Sequence, residues 1–233
     1  KTNFIISNSN FTKKLAISKG IDSSKIKIIF PGIEKPTNIS NVAKIKSEKI
    51  FEDSFPKIIT VSRLDKRKGH DKILMLIKNL KPKFPKIKYI SIGGGEEEQN
   101  LLKLAKELNI EKEIIFLKNI QFDLKTALIS ESHLFLMPSR IEKKSVEGFG
   151  IAFIEAASYG VGSIGGKDGG APDAISHKKT GLICDGNDLN SIYDSVLDFF
   201  KNENYLKYGK NAKEFVSKFN WPNIIEKYKK ILS

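Results

Sequence analysis

Apolar residues along the chain fall into short runs separated by stretches with helical spacing, and that alternation sets the expected architecture. Residues 57–62 read as a buried strand, 87–92 as a second that ends in Gly93-Gly94-Gly95, 113–117 as a third, and 133–137 as a fourth closed by Pro138. Helical patterns lie between them at 70–80, 96–108, 124–130 and 150–159. The helix at 96–108 places Leu101, Leu104, Ala105 and Leu108 on one stripe and opens with three glutamates, which suits a helix N-terminus. Short strands follow at 161–164 and 181–184. Helices then run from Leu189 to the C-terminus with breaks near Glu203 and Trp221-Pro222. Strands alternating with helices predict an α/β fold, a doubly wound parallel sheet of Rossmann-like type. Such sheets bind ligands beyond the carboxyl ends of their strands. Arg63, Gly93, Asn119, Arg140 and the 165–172 loop all follow strands, which predicts one shared crevice.

The N-terminal stretch stands outside this unit. Residues 3–7 read as a strand, 11–19 as a helix, and 25–30 as an apolar run before the turn Pro31-Gly32. Residues 34–56 are polar and lysine-rich and read as a connector. No internal repeat is visible. The expected organisation is a remnant of another domain at 1–30, a linker and lead-in segment at 31–56, a nucleotide-binding unit at 57–218, and a C-terminal helix at 219–233.

Composition narrows the class. The chain has 233 residues, 40% of them hydrophobic and 29% charged, which suits one globular domain or one domain with fragments. It contains no apolar run of about 20 residues and no secretion-signal pattern. A single cysteine, Cys184, excludes a disulfide framework and points to a reducing compartment. The net charge of +13 raises the question of a polyanion partner. The excess is lysine dispersed over surface helices, as at Lys72, Lys103, Lys106 and Lys125, so solvated helix faces are preferred over a nucleic-acid groove. An anionic lipid surface is the best functional version of the signal.

Four segments carry candidate chemistry. In Ser62–Gly69, directly after a strand, Arg63 and Lys68 can converge on one anion, the guanidinium as a planar fork and the ammonium as a point charge. In Glu147-Gly148-Phe149-Gly150-Ile151-Ala152-Phe153-Ile154-Glu155, two glycines flank a helix start, where backbone N–H groups can approach an anion or a hydroxyl. Glu155 is a lone carboxylate on an apolar helix and must be partnered. A ribose diol and a core salt bridge are equal readings of it from pattern alone. The third segment, Gly165 to Asp173, is a glycine-rich loop, which a flexible turn explains as well as a ligand cradle does. The fourth, Gly93-Gly94-Gly95, lacks the spacing and the acidic partner of a dinucleotide site. His70, His133 and His177 have no metal spacing, and His133 reads as a packing residue. Trp221 reads as an anchor for the last helix.

Together these segments resemble the C-terminal domain of the retaining GT-B glycosyltransferases of group 1, in order and over essentially the whole chain. The resemblance rests on Arg63 with Lys68-Gly69, on Glu147 and Glu155 eight positions apart, on the 28–34 segment, and on Phe219-Asn220-Trp221. Met137-Pro138-Ser139-Arg140, the segment up to Val146–Gly150, and Gly169–Asp173 are similar to the phosphatidylinositol mannosyltransferase branch. The resemblance implies that Arg63, Lys68 and Glu147 act at the departing diphosphate and the sugar. Gly148, Phe149, Gly150 and Ile151 would hold phosphate and sugar through their backbone, Glu155 the ribose, and Asn119-Ile120 the base. It implies a nucleotide-sugar donor (GDP-mannose favoured, a UDP-sugar the alternative), a glycolipid or saccharide acceptor, and no cofactor or metal. It further implies a cytoplasmic site with peripheral contact at the inner membrane face and no nucleic-acid partner. Gly162, Lys118 and Lys167 depart from the family pattern. The acceptor half of such an enzyme is not in this sequence, so the chain reads as a fragment that binds donor without completing transfer. A basic nucleic-acid-binding module, and a phosphorylase or epimerase of the same fold, are the competing readings.

Overall fold

The computed structural model describes residues 3–232; residues 1, 2 and 233, part of the expected N-terminal remnant and C-terminal helix, lie outside the described residues. The chain opens with β1 (Ile5–Ser7), α1 (Asn10–Ser18) and β2 (Ile26–Ile28). The two strands pair in parallel as a small separate sheet. Next comes α2 (Asn41–Phe51), a helix inside the stretch that the sequence reads as connector. It starts at Ser40, whose hydroxyl accepts the Ala43 N–H, and it buries Ala43, Ser47 and Phe51, spaced four apart along one face. Only one of those three side chains is large, and Val42 and Ile45 point to solvent, so the apolar stripe is too thin to be read from sequence.

The main body continues as β3 (Lys57–Val61), α3 (His70–Leu80), β4 (Lys88–Ile92), α4 (Glu98–Glu107), β5 (Ile114–Leu117), α5 (Phe122–Glu131), β6 (Leu134–Met137), α6 (Ile151–Ser158), β7 (Ser163–Gly166), α7 (Ala171–Ala174), β8 (Gly181–Cys184), α8 (Leu189–Phe200), α9 (Asn204–Phe215) and α10 (Trp221–Leu232). Six strands form one sheet in the order β5-β4-β3-β6-β7-β8, with every adjacent pair parallel. The expected doubly wound parallel sheet is therefore the observed one. The order reverses between β3 and β6, and that switch point is where ligands enter such sheets.

Side chains alternate across each strand, so the two faces feed two cores. Ile58, Leu134 and Leu136 join α3, α4 and α8 on one side. Ile59, Phe135 and Met137 join α2, α5, α6 and α9 on the other. β7 begins two residues later than its apolar pattern suggests, so Gly165 and Gly166 belong to the strand rather than the loop. A side chain at Gly166 would overlap the Ser139 carbonyl, which explains a glycine in a central strand. The expected helix breaks are present: α8 ends at Phe200, and α10 starts at Trp221 with Pro222 in its first turn, where the missing N–H costs nothing. The Trp221 ring lies over Gly32, where an added Cβ would stand 2.6 Å from it, and Ile33 N–H donates to Phe219 O at 2.9 Å. The lead-in segment and the C-terminal signature thus pack on each other.

Candidate functional site

β3 delivers the basic loop to the switch point, and β6 delivers the long loop that ends in α6. The two loops are stitched together. Arg140 donates through both terminal nitrogens to Asp71 at 2.9 and 3.0 Å, and its backbone N–H donates to Arg67 O at 2.9 Å. The Glu147 carboxylate accepts from Arg67 Nη1 at 3.1 Å and from Lys68 Nζ. Lys68 is 8% exposed and has the Met137 sulfur 3.6 Å from its ammonium. Burial lowers its pKa from the ordinary lysine value, and the facing Glu147 opposes that shift. Arg63, by contrast, has a side chain that is 71% exposed and pairs, among the described residues, only with Asp65, at 2.9 Å. It lines an open crevice of about 1060 Å³ together with Lys66, Arg67, Lys143 and Lys144. Among the described residues, three buried side-chain polar atoms lack a hydrogen-bond partner, and two of them, Arg67 Nε and Ser139 Oγ, belong to the stitched loops.

Gly150, at φ 91°, caps α6 without a side-chain bond, so the first amides of the helix are left open. Phe149 is held from behind: its ring is buried and packs on Phe30 (5.5 Å) and Phe219 (5.7 Å), so the site is offered only its backbone. The glycine loop supports this turn from beneath. Gly170 N–H donates to Glu147 O at 2.8 Å, and a side chain at Gly169 or Gly170 would overlap the carbonyl of Glu147 or Gly148. Those glycines permit backbone to lie on backbone, a more specific role than the flexible turn or ligand cradle the sequence suggests.

Glu155, one turn and a half further along α6, faces elsewhere. It lines a cavity of about 320 Å³ with Gly32, Ile33, Phe122, Ile129, Ile151 and Trp221 among its walls. It has no ion-pair or side-chain hydrogen-bond partner among the described residues. Asn119, at φ 53°, and Ile120 turn between β5 and α5 and do not line this cavity; α5 enters it instead through Phe122, Lys125 and Thr126. The candidate residues therefore divide into a charged cluster at the switch point, an apolar cavity around Glu155, and a turn at the sheet's edge strand.

The family model for glycosyl transferases group 1 matches residues 41–215. The chain belongs to that family. It is 26% identical over 227 residues to a GDP-mannose-dependent alpha-(1-6)-phosphatidylinositol monomannoside mannosyltransferase of Mycobacterium tuberculosis, covering 94% of this chain and 58% of the relative. It is 30% identical over 196 residues to the N-acetyl-alpha-D-glucosaminyl L-malate synthase of Bacillus anthracis, covering 83% of this chain and 44% of the relative. Its fold superposes on Anabaena HepE, solved in complex with UDP and glucose, with a TM-score of 0.84 at 20% identity over 99% of this chain and 63% of that one. The chain thus spans about half the length of the curated relatives it matches.

Other groups in the group 1 transferase chain have structural work. His70 is buried beneath the basic loop, with Nε2 3.0 Å from Ser62 Oγ and Nδ1 3.0 Å from Tyr89 Oη, and burial pushes its pKa down to about 4. His133 packs between Phe55 and Tyr205, as its strand position suggests, and its Nδ1 accepts the Lys57 N–H at 3.1 Å. Cys184 is buried, and its thiol pKa is pushed up to about 12. Arg67 is the charged-cluster residue that sequence reasoning passes over. It stands inside the basic run, but nothing in the pattern ranks it above Arg63. No described helix is long and apolar enough to cross a membrane.

Proposed function

We propose that this chain is the donor-binding part of a retaining glycosyltransferase that takes a nucleotide-diphosphate sugar, GDP-mannose first, for transfer to a lipid or saccharide acceptor. The observation that carries the reading is the contrast between two carboxylates: Glu147, just before α6, is held by Arg67 and Lys68 at the switch point, while Glu155 on α6 opens into a largely apolar cavity with no partner among the described residues. A nucleotide sugar has the matching order of parts. Its diphosphate meets Lys68, Arg67 and the open amides of α6, with Arg63 at the rim, and cations there stabilise the diphosphate as it departs. Its ribose diol can donate to Glu155 in bidentate fashion, and its base can lie against the walls that α5 supplies. Asn119 and Ile120 would meet the base at its outer edge. Gly148, Phe149, Gly150 and Ile151 offer backbone N–H groups to phosphate and sugar, with Glu147 at the sugar. None of these contacts requires a metal or a cofactor.

GDP-mannose is favoured by the kinship with the mycobacterial mannosyltransferase. A UDP-sugar is the second reading, because HepE of the same fold was solved with UDP. Transfer to a lipid acceptor at the inner face of a membrane fits the same kinship. Calorimetry with GDP, UDP, GDP-mannose and UDP-glucose tests the proposal. One nucleotide should bind, and both Lys68→Ala and Glu155→Ala should weaken it roughly tenfold or more, the scale of a lost charged hydrogen bond. Absence of binding by all four ligands, with salt-sensitive RNA binding instead, would reject the proposal.

A further inference from the structure

The N-terminal segment reaches into the sugar end of this site. The turn between β1 and α1 carries Asn8, Ser9 and Asn10. Asn10 is fastened to the glycine loop: its backbone N–H donates to Asp173 Oδ2 at 2.7 Å and its Nδ2 donates to Asp173 Oδ1 at 2.6 Å. Both oxygens of one carboxylate are therefore engaged by one residue 163 positions away. That clamp places Asn8 over Gly148. A Cβ built on Gly148 would stand 3.2 Å from Asn8 Nδ2, and among the described residues other than the neighbours Glu147 and Phe149 the Asn8 amide supplies the atoms within 4 Å of that position. The other end of the amide meets α1: Asn8 Oδ1 accepts from Thr12 Oγ1 at 2.8 Å, a hydroxyl that also lies 3.1 Å from Ser9 O. The Thr12 hydroxyl is itself held by the Ser9 cap of α1. In this arrangement Oδ1 faces the helix, and Nδ2 with its N–H donors is the nearer atom to Gly148. Asn8 is exposed and has no role in a core.

We infer that Asn8 is a specificity-determining residue for the donor sugar, held in position by the Asp173–Asn10 clamp and donating to a sugar hydroxyl beside Glu147. The inference rests on the donor-site reading above. Gly148 directly follows Glu147, so the turn presents a carboxylate acceptor on one side and an amide donor on the other. A hexose carrying neighbouring hydroxyls can donate to the first and accept from the second. The bare nucleotide, lacking the hexose, would have nothing to offer Asn8. The absence of a side chain at 148 is then explained as room for this amide and the sugar under it.

The discriminating measurement is the ratio of affinities for nucleotide sugar and nucleotide on the whole 233-residue chain, using GDP with GDP-mannose and UDP with UDP-glucose. Asn8→Ala should leave the nucleotide Kd unchanged and weaken the nucleotide sugar roughly three- to tenfold, the range of one neutral hydrogen bond. Asn8→Asp, which keeps the shape but replaces the donor by an acceptor, should weaken it further. Asp173→Ala should reproduce the Asn8→Ala ratio by freeing the turn, with the melting temperature recorded for each variant. If Asn8→Ala shifts nucleotide and nucleotide sugar equally, or neither, while Glu155→Ala still weakens nucleotide binding, the inference is overturned and the donor site stands. If the unaltered chain binds neither ligand, the donor reading fails and takes this inference with it.

Discussion

Glu147 and Glu155 sit eight residues apart around one short helix, yet the protein treats them oppositely. Glu147 is held through one oxygen: two cations meet its Oε2, one of them buried, at the place where two strand-end loops are sewn together. Glu155 is unpaired among the described residues and faces a cavity with mostly apolar walls. A carboxylate paired inside the fold stabilises the loops that hold it. A carboxylate left waiting keeps its binding capacity for whatever enters. The two glutamates look like a matched pair in the sequence, but the structure makes one a keystone of the mouth and the other an open contact. Stability and ligand affinity should therefore separate when each is changed.

The largest effect is expected at the paired end. Glu147→Ala leaves Lys68 and Arg67 close together with no carboxylate between them, and removing one member of a buried charge cluster costs about 3–5 kcal/mol. Chemical denaturation should register that loss. Lys68→Met should cost less, because Arg67 still meets Glu147, and the double variant should cost less than the sum of the two single changes. Additive costs would mean that the cluster is not coupled and would erase the contrast with Glu155.

The next effect comes from the ground beneath the cluster. His70 begins α3 one residue past Lys68-Gly69, and its ring braces Ser62 at the start of the same loop. Its folded pKa is about 4, against an ordinary value of 6.5. Above pH 6.5 both folded and unfolded states leave the ring neutral. As pH falls from 6.5 toward 4, the unfolded chain takes up a proton that the folded chain refuses, so stability declines. The loss approaches about 3 kcal/mol near pH 4, since each tenfold difference in proton affinity between the two states is worth ~1.4 kcal/mol. His133, depressed in the same direction by burial, adds to the slope. Denaturation curves from pH 7 to 4 should flatten in His70→Asn relative to the unaltered chain. An unchanged slope would show that the brace does not titrate with folding.

How much of the molecule is legible in its sequence depends on what kind of signal each feature leaves. The sheet is readable because strands buried on both faces are continuous apolar runs, and β3, β4, β5 and β6 lie within a residue or two of where those runs place them. α2 is not readable, since three buried positions with one large side chain leave no stripe among lysines. Arg63, Lys68, Glu147 and Glu155 stand out by residue type after strands, but type does not reveal partners. Nothing in the string says that Arg67, not Arg63, meets Glu147, because that depends on how a turn of 3-10 helix at Lys66–Lys68 aims successive side chains. The Asp173–Asn10 clamp joins residues 163 apart and leaves no local signature at all. The glycine loop is the converse case: its composition is plain, but its purpose lies in the carbonyls it rests on, far away in sequence.

At the open end, Glu155→Ala should change stability by less than about 0.5 kcal/mol, since no described partner is stranded by the truncation. The same change should cost nucleotide affinity roughly tenfold. A variant that loses stability as well would mean that Glu155 holds the cavity together, and the comparison with Glu147 would collapse into two structural carboxylates.

The smallest effect is expected at Arg63, and it sharpens the comparison from the cation side. The sequence pairs Arg63 and Lys68 as two equal phosphate ligands, but Arg63 is mostly exposed and its Asp65 contact is a surface ion pair. Such pairs contribute about 0–1 kcal/mol and are screened by salt. Arg63→Ala should therefore leave the unfolding midpoint nearly unchanged. Any loss of nucleotide affinity should be modest at low ionic strength and should fade as salt is raised, whereas the Lys68→Ala loss should persist. The reason is burial: Lys68 would meet a phosphate where few ions can intervene, while Arg63 would meet it from the rim. If the two variants show the same salt dependence, a ligand must draw Arg63 inward on binding, and the rim position would describe only the empty site.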